Sequence, residues 1–134
     1  MHSHGLTELL LTDGGPVTEC GGIGASNDPL RGGKCNVWEG GTRGTAFVWS
    51  PLLKMSRYRY THLAHAVDWL PTLIAAAGAA SESQGQKPID GFSLWDALNT
   101  NTSSNRSSVY YGVTDLYAGL HGPAVQDRDG WKLM

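Results

Sequence analysis

With 134 residues the chain has room for one domain with a modest core, and its 40% hydrophobic content is that of globular sequences, not of disordered tails. Its 18 glycines and 16% charged residues fit a loop-rich α/β segment better than a helical bundle. A formal net charge of −2 removes the electrostatic case for a nucleic-acid partner, so any anion binding must be local.

No run approaches the ~18 to 20 apolar residues of a membrane span, and Leu9-Leu10-Leu11 is far too short. The N-terminus lacks a basic-then-apolar pattern, so no signal peptide is expected in this chain. His2 and His4 read as part of an exposed terminus and not as metal ligands. Leu9-Leu10-Leu11-Thr12 is an apolar run ended by Asp13-Gly14-Gly15-Pro16, the pattern of a buried parallel strand that enters a loop. Ligand sites in open α/β sheets lie at such strand ends. Residues 17–28 read as a loop. Cys20 and Cys35 can pair, stay free or bond elsewhere, and neither has metal-site spacing.

Residues 29–43 hold three cations (Arg31, Lys34 and Arg43), one carboxylate (Glu39) and two glycine pairs. Glycine lets backbone approach a ligand or a neighbouring segment closely, and Arg31 and Lys34 supply charge-assisted donors for sulfate or phosphate. The plainer alternative is a glycine-rich turn whose cations face solvent. Glu39 and Arg43 are expected to pair and tie the turn down.

Residues 45–49 have β-propensity and stop before Pro51, which predicts a strand. Residues 68–78 predict a helix with Asp68 as N-cap, Pro71 in the first turn and Gly78 just past the end. His62 and His65 lack a carboxylate partner at obvious spacing and read as packing or surface groups. A polar loop over 81–88 leads to the turn Asp90-Gly91 and a short amphipathic helix, with Phe92, Leu94, Trp95 and Leu98 as core candidates. Residues 99–108 form a second loop that carries two glycosylation sequons, at Asn101 and Asn105. Two late strands are expected, over 109–113 and from Ala124 to Leu133.

The order of these segments resembles the sulfatase family, and most of all its arylsulfatase B-like branch. The similarity is carried by Leu11-Thr12-Asp13-Gly14-Gly15-Pro16, by Arg31-Gly32-Gly33-Lys34 followed by Trp38-Glu39-Gly40-Gly41-Thr42-Arg43, and by Thr61-His62-Leu63 through Asp68-Trp69-Leu70-Pro71-Thr72-Leu73. Asp90-Gly91-Phe92 and Asp129-Gly130-Trp131-Lys132-Leu133 complete it. The resemblance implies an α/β, alkaline-phosphatase-like sulfatase fold, with residues 1–134 as a partial catalytic domain, its C-terminal portion. It implies hydrolysis of a sulfate ester through a formylglycine hydrate that attacks sulfur while a cation and lysines hold the sulfate. Lys34 matches the lysine that contacts the sulfate, and Trp38 an aromatic position on the substrate side.

Family members end the first strand in Asp-Asn-Gly, whose Asp and Asn bind a divalent cation, usually calcium. Asp13 matches, but Gly14 stands where the Asn would be, and one amide oxygen is lost from a site that needs several. The formylglycine arises from the Cys of Cys-x-Pro-Ser-Arg, and neither Cys20 nor Cys35 lies in that motif. The N-terminal part of the domain is thus expected to be missing and the chain alone inactive. Sulfated small molecules or glycosaminoglycans are the implied substrates, and lysosome or secretion the implied location. A phosphate-ester hydrolase of the same superfamily is a runner-up. The alternative from another class is a truncated, catalytically silent product that at most binds sulfated glycans or a partner.

Overall fold

In a computed structural model of the protein, residues 8–11, 26–33, 36–79, 88–111 and 123–134 are described. Helices and strands are mixed in the order β1 (Glu8–Leu11), α1 (Glu39–Thr42), β2 (Ala46–Trp49), a 3-10 turn (Ala66–Asp68), α2 (Trp69–Ala76), α3 (Trp95–Thr100), β3 (Ser108–Tyr111), β4 (Ala124–Asp127) and β5 (Lys132–Leu133). β1 pairs with β2, and a second sheet has the order β3-β4-β5. Two compact units divide the chain, one built on Trp49–Val109 and the other on Leu9–Val48 with Tyr110–Met134.

The first unit is organised by a carboxylate. Asp68 is fully buried, and its oxygens accept hydrogen bonds from the Arg106 guanidinium through Nε (2.7 Å) and Nη2, from the Phe92 N–H (2.9 Å) and from the His65 N–H (2.8 Å). An ionised carboxylate out of water needs such a set of donors. Asp68 therefore does not cap α2 with its side chain, as the sequence suggested. The helical path instead begins one 3-10 turn earlier, where His65 is the cap and the Val67 N–H donates to His65 Nδ1 (3.3 Å). Burial, and then the charge of Arg106, hold the His65 imidazole below its usual pKa against the pull of Asp68, in keeping with an unprotonated Nδ1 that accepts the Val67 hydrogen bond.

The far end of α2 follows expectation. Pro71 lies in the first turn, where a missing N–H costs nothing, and Gly78 at φ 70° closes the helix while the Ala79 N–H donates to the Ile74 carbonyl (3.1 Å). Thr72 links α2 to the start of α3: its hydroxyl donates to the Asp68 carbonyl (2.6 Å) and accepts the Leu94 N–H (2.8 Å). Asn99 on α3 accepts the Lys54 N–H (2.8 Å) and donates to the Trp95 carbonyl (2.9 Å), and the Tyr58 hydroxyl bonds to the Leu98 carbonyl. Leu94, Ala97, Leu98 and Val109, with Pro71 of α2, are the buried apolar side chains of this unit among the described residues. Phe92, expected in the core, is instead 43% exposed, because its ring forms a surface under the Arg106 guanidinium at 5.1 Å. Trp95 is half-buried.

In the second unit the expected final strand is two strands. β4 and β5 pair antiparallel with Val125 opposite Leu133 and Gln126 opposite Lys132. Asp127 makes the break: its Oδ1 accepts the N–H groups of Asp129 (3.0 Å) and Trp131 (2.9 Å), a local alternative to a continuing ladder.

The buried Asp68–Arg106 pair has a definite pH signature. Burial alone would raise the Asp68 pKa, but the Arg106 hydrogen bonds and charge, with the Phe92 and His65 amides, outweigh it and hold the carboxyl below the usual range. A depressed folded-state pKa gives stability that is complete above the unfolded value of about 4 and is lost as pH falls through the folded value. In the whole protein, Asp68→Ala should cost roughly 3–5 kcal/mol at neutral pH. The gap to wild type should narrow below about pH 4, as read by urea unfolding across pH.

Val67, Leu70 and Leu73 lie exposed three residues apart on the α2 side, and Trp131 and Leu133 lie exposed on the β5 strand and its approach. So much uncovered apolar surface beside so few buried side chains leaves little to make unfolding cooperative. Residues 1–134 expressed alone are expected to bind a hydrophobic dye and to lose near-UV circular dichroism without a sharp transition; a steep two-probe transition of a monomer would contradict this.

Candidate anion-binding loop

The two glycine pairs singled out in the sequence lie against each other. The Gly40 N–H donates to the Arg31 carbonyl (2.7 Å), and Asn27 Nδ2 donates to both the Gly32 carbonyl (2.9 Å) and the Gly40 carbonyl (2.8 Å). A Cβ placed on Gly40 would come within 2.7 Å of the Arg31 carbonyl oxygen and would overlap that of Gly32, and one on Gly41 would overlap that of Gly33. Only residues without side chains let these backbones meet. Gly32 also adopts φ 81°.

α1 is a single turn whose last bond runs from the Arg43 N–H to the Glu39 carbonyl (2.8 Å). Its entry is set by Asn36, which is buried and accepts the Trp38 N–H through Oδ1 (3.2 Å); Asn36 Nδ2 has no hydrogen-bond partner among the described residues. The Asn36 N–H also donates to the Gly33 carbonyl (3.2 Å).

Charges on this loop are sorted by position. The guanidinium carbon of the exposed Arg31 lies over the Trp38 ring, 3.7 Å from its centroid, which is a cation–π distance. Glu39 pairs with Arg43, as expected, from Oε2 to Nε at 2.9 Å, and through Oε1 with Lys132 Nζ at 3.1 Å. Lys132 Nζ also donates to Thr42 Oγ1 (2.9 Å) and sits 4.2 Å from the centre of the Tyr111 ring. The Tyr111 hydroxyl bonds to Gln126 Oε1 (2.8 Å). Burial first, and the Glu39 charge second, raise the Tyr111 pKa, against the Thr42 hydroxyl and the Arg43 charge.

Of the expected site residues, Trp38 is half-buried just before α1, while Lys34 and Asp13 lie outside the described residues, as do His2, His4, Cys20 and Cys35. Asn101 is exposed in a left-handed conformation at the end of α3 (φ 51°), and Asn105 is exposed beside Arg106. Among the described residues no group of three or more His, Cys, Asp or Glu side chains is arranged to hold a metal, so they do not form the implied calcium site. Asn27 and Lys132 carried no sequence signal as partners of this loop, although Lys132 belongs to the Asp-Gly-Trp-Lys-Leu segment.

The chain is 38% identical over 125 residues to arylsulfatase J of Mus musculus, an alignment that takes in 83% of this chain and 21% of that protein. It is 32% identical over 96 residues to steryl-sulfatase of the same species, with 71% of this chain and 15% of that protein covered. The chain thus spans 21% or less of the length of these curated relatives. No protein-family model matches it.

Because Gly40 meets backbone and not a yielding side chain, Gly40→Ala must push residues 31–33 away. The expected cost is roughly 1–3 kcal/mol in denaturant unfolding of the whole protein; a neutral substitution would show that the two glycine pairs are not in contact.

Proposed function

We propose that this chain, which belongs to the sulfatase family, supplies the sulfate-facing loop of an arylsulfatase-type sulfuric ester hydrolase. The observation that carries the reading is identity to two sulfatases across 83% and 71% of the chain. Residues 1–134 are then a partial catalytic domain of alkaline-phosphatase-like fold, acting on a sulfated small molecule or glycosaminoglycan in a lysosomal or secreted protein glycosylated at Asn101 and Asn105.

In this reading Lys34 is the catalytic cation of the segment. Its ammonium donates to one sulfate oxygen in the bound ester. As the S–O bond to the leaving alcohol breaks, the same charge offsets the negative charge that grows on the sulfate group. Trp38 forms a wall on the substrate side. The contact of Arg31 with that ring supports an anionic substrate, since it holds a second cation, three residues before Lys34 in sequence, without burying it. Asp13 would give a carboxylate oxygen to calcium, and the formylglycine would come from sequence other than residues 1–134, which contain no Cys-x-Pro-Ser-Arg.

Turnover of an aryl sulfate by the whole protein tests the proposal. Lys34→Ala should lower kcat about 100-fold or more with calcium affinity unchanged, as expected when one donor to a developing charge is removed. Asp13→Ala should weaken calcium binding in calorimetry, and an Asn inserted after Asp13 should tighten it. Residues 1–134 alone should give no turnover above background. Turnover indifferent to Lys34→Ala would overturn the role assigned to this loop.

A further inference from the structure

An ammonium is strongly hydrated and is withdrawn from water only where fixed acceptors replace its shell. The Lys132 side chain is 11% exposed, and both of its oxygen acceptors, Glu39 Oε1 and Thr42 Oγ1, belong to α1, at opposite ends of that single turn. The ammonium also lies over the Tyr111 ring, 4.2 Å from its centroid, and the Tyr111 hydroxyl is held by Gln126, the register partner of Lys132 across β4 and β5. The sheet thus fixes the cation, and the cation fixes the turn. Gly40 and Gly41 of that turn press on Gly32 and Gly33, and Gly33 and Asn36 flank the Lys34-Cys35 pair in the chain.

We propose that Lys132 is a positioning residue for the glycine-rich loop: it locks α1 against the Gly32–Gly33 backbone, to which Lys34, the sulfate-contacting residue of the proposed function, is joined in sequence. The catalytic half of this inference rests on the sulfatase reading; the structural half does not. Misplacement of a reacting group by about 1 Å costs on the order of 100-fold in rate, so a residue that never touches substrate can still govern turnover. Arg43, which shares Glu39, is not equivalent to Lys132, because it is 58% exposed and its ion pair among the described residues is made within the turn.

The test uses the whole protein and Lys132→Met, which keeps the stem and removes the charge. Peptides spanning residues 31–43 should exchange amide hydrogen at least about 10-fold faster in the variant, while peptides of the Asp68–Arg106 unit remain unchanged. On an aryl sulfate, kcat/KM should fall about 10-fold or more, and this loss should shrink to less than about 2-fold in a Lys34→Ala background, since two residues that act through one contact are not additive. A merely stabilising lysine would instead lower Tm and leave kcat/KM per folded molecule intact. Unchanged exchange in 31–43, or full additivity with Lys34→Ala, overturns the proposal. If the wild-type protein turns over no sulfate ester, the sulfatase reading fails, and the exchange measurement still decides whether Lys132 holds the loop. Should Lys132→Met not fold, Glu39→Gln removes the same ion pair from the other side and is read in the same way.

Discussion

The meeting of two backbones with nothing between them governs the loop around Lys34. Ordinary segments keep their distance because side chains intervene; here Gly40 and Gly41 bring a helical turn directly onto the carbonyls of residues 31–33. A contact of that kind is rigid but weak in itself, since it buries little apolar area. It therefore depends on bonds that pull from outside. Asn27 clamps one carbonyl from each segment, and Lys132 and Arg43 hold the single carboxylate of the turn. Loss of Asn27 or of Lys132 loosens this contact, since the bond from the Gly40 N–H to the Arg31 carbonyl then has less support.

The unit built on Trp49–Val109 solves a similar problem by another route. Its interior is held by shared polar contacts: Asp68 with four donors, Thr72 as both donor and acceptor, and Asn99 bridging two segments. Such networks add little net stability when intact and cost much when broken, so they define one arrangement more than they deepen its well. Arg106 is the middle residue of the Asn105-Arg106-Ser107 sequon, a place where surface chemistry alone would ask nothing of the side chain.

Local signals were legible in the sequence and distant partnerships were not. Pro71 and Gly78 bracket α2 because backbone chemistry at a helix end is a property of single residues. The strand over 45–49 and the Glu39–Arg43 pair follow from propensity and from i,i+4 spacing. Asp68 stands at the N-cap position of α2 as read, but its side chain is taken by Arg106, a distant partner that no local signal announces. Phe92 misled for the same reason, since a cation on its face lets an aromatic ring remain at the surface. Of the loop itself, the glycine pairs announced a close approach without naming what approached, and nothing near Asn27 or Lys132 marked them as its clamps. The family was readable from ordered motifs, and the alignments to two sulfatases agree with it.

Glu39 has given one oxygen to each of two cations that differ in their access to water: Arg43 is largely exposed, while Lys132 is covered. Mobile ions reach the first and not the second. At physiological ionic strength charges in solvent feel one another over about 8 Å, and an exposed i,i+4 pair contributes only about 0.3–0.5 kcal/mol. Rising salt therefore unfastens the outer arm of the carboxylate first and leaves the inner arm in place. The turn that carries the glycines should keep its seat in brine, with its grip narrowed from two hands to one.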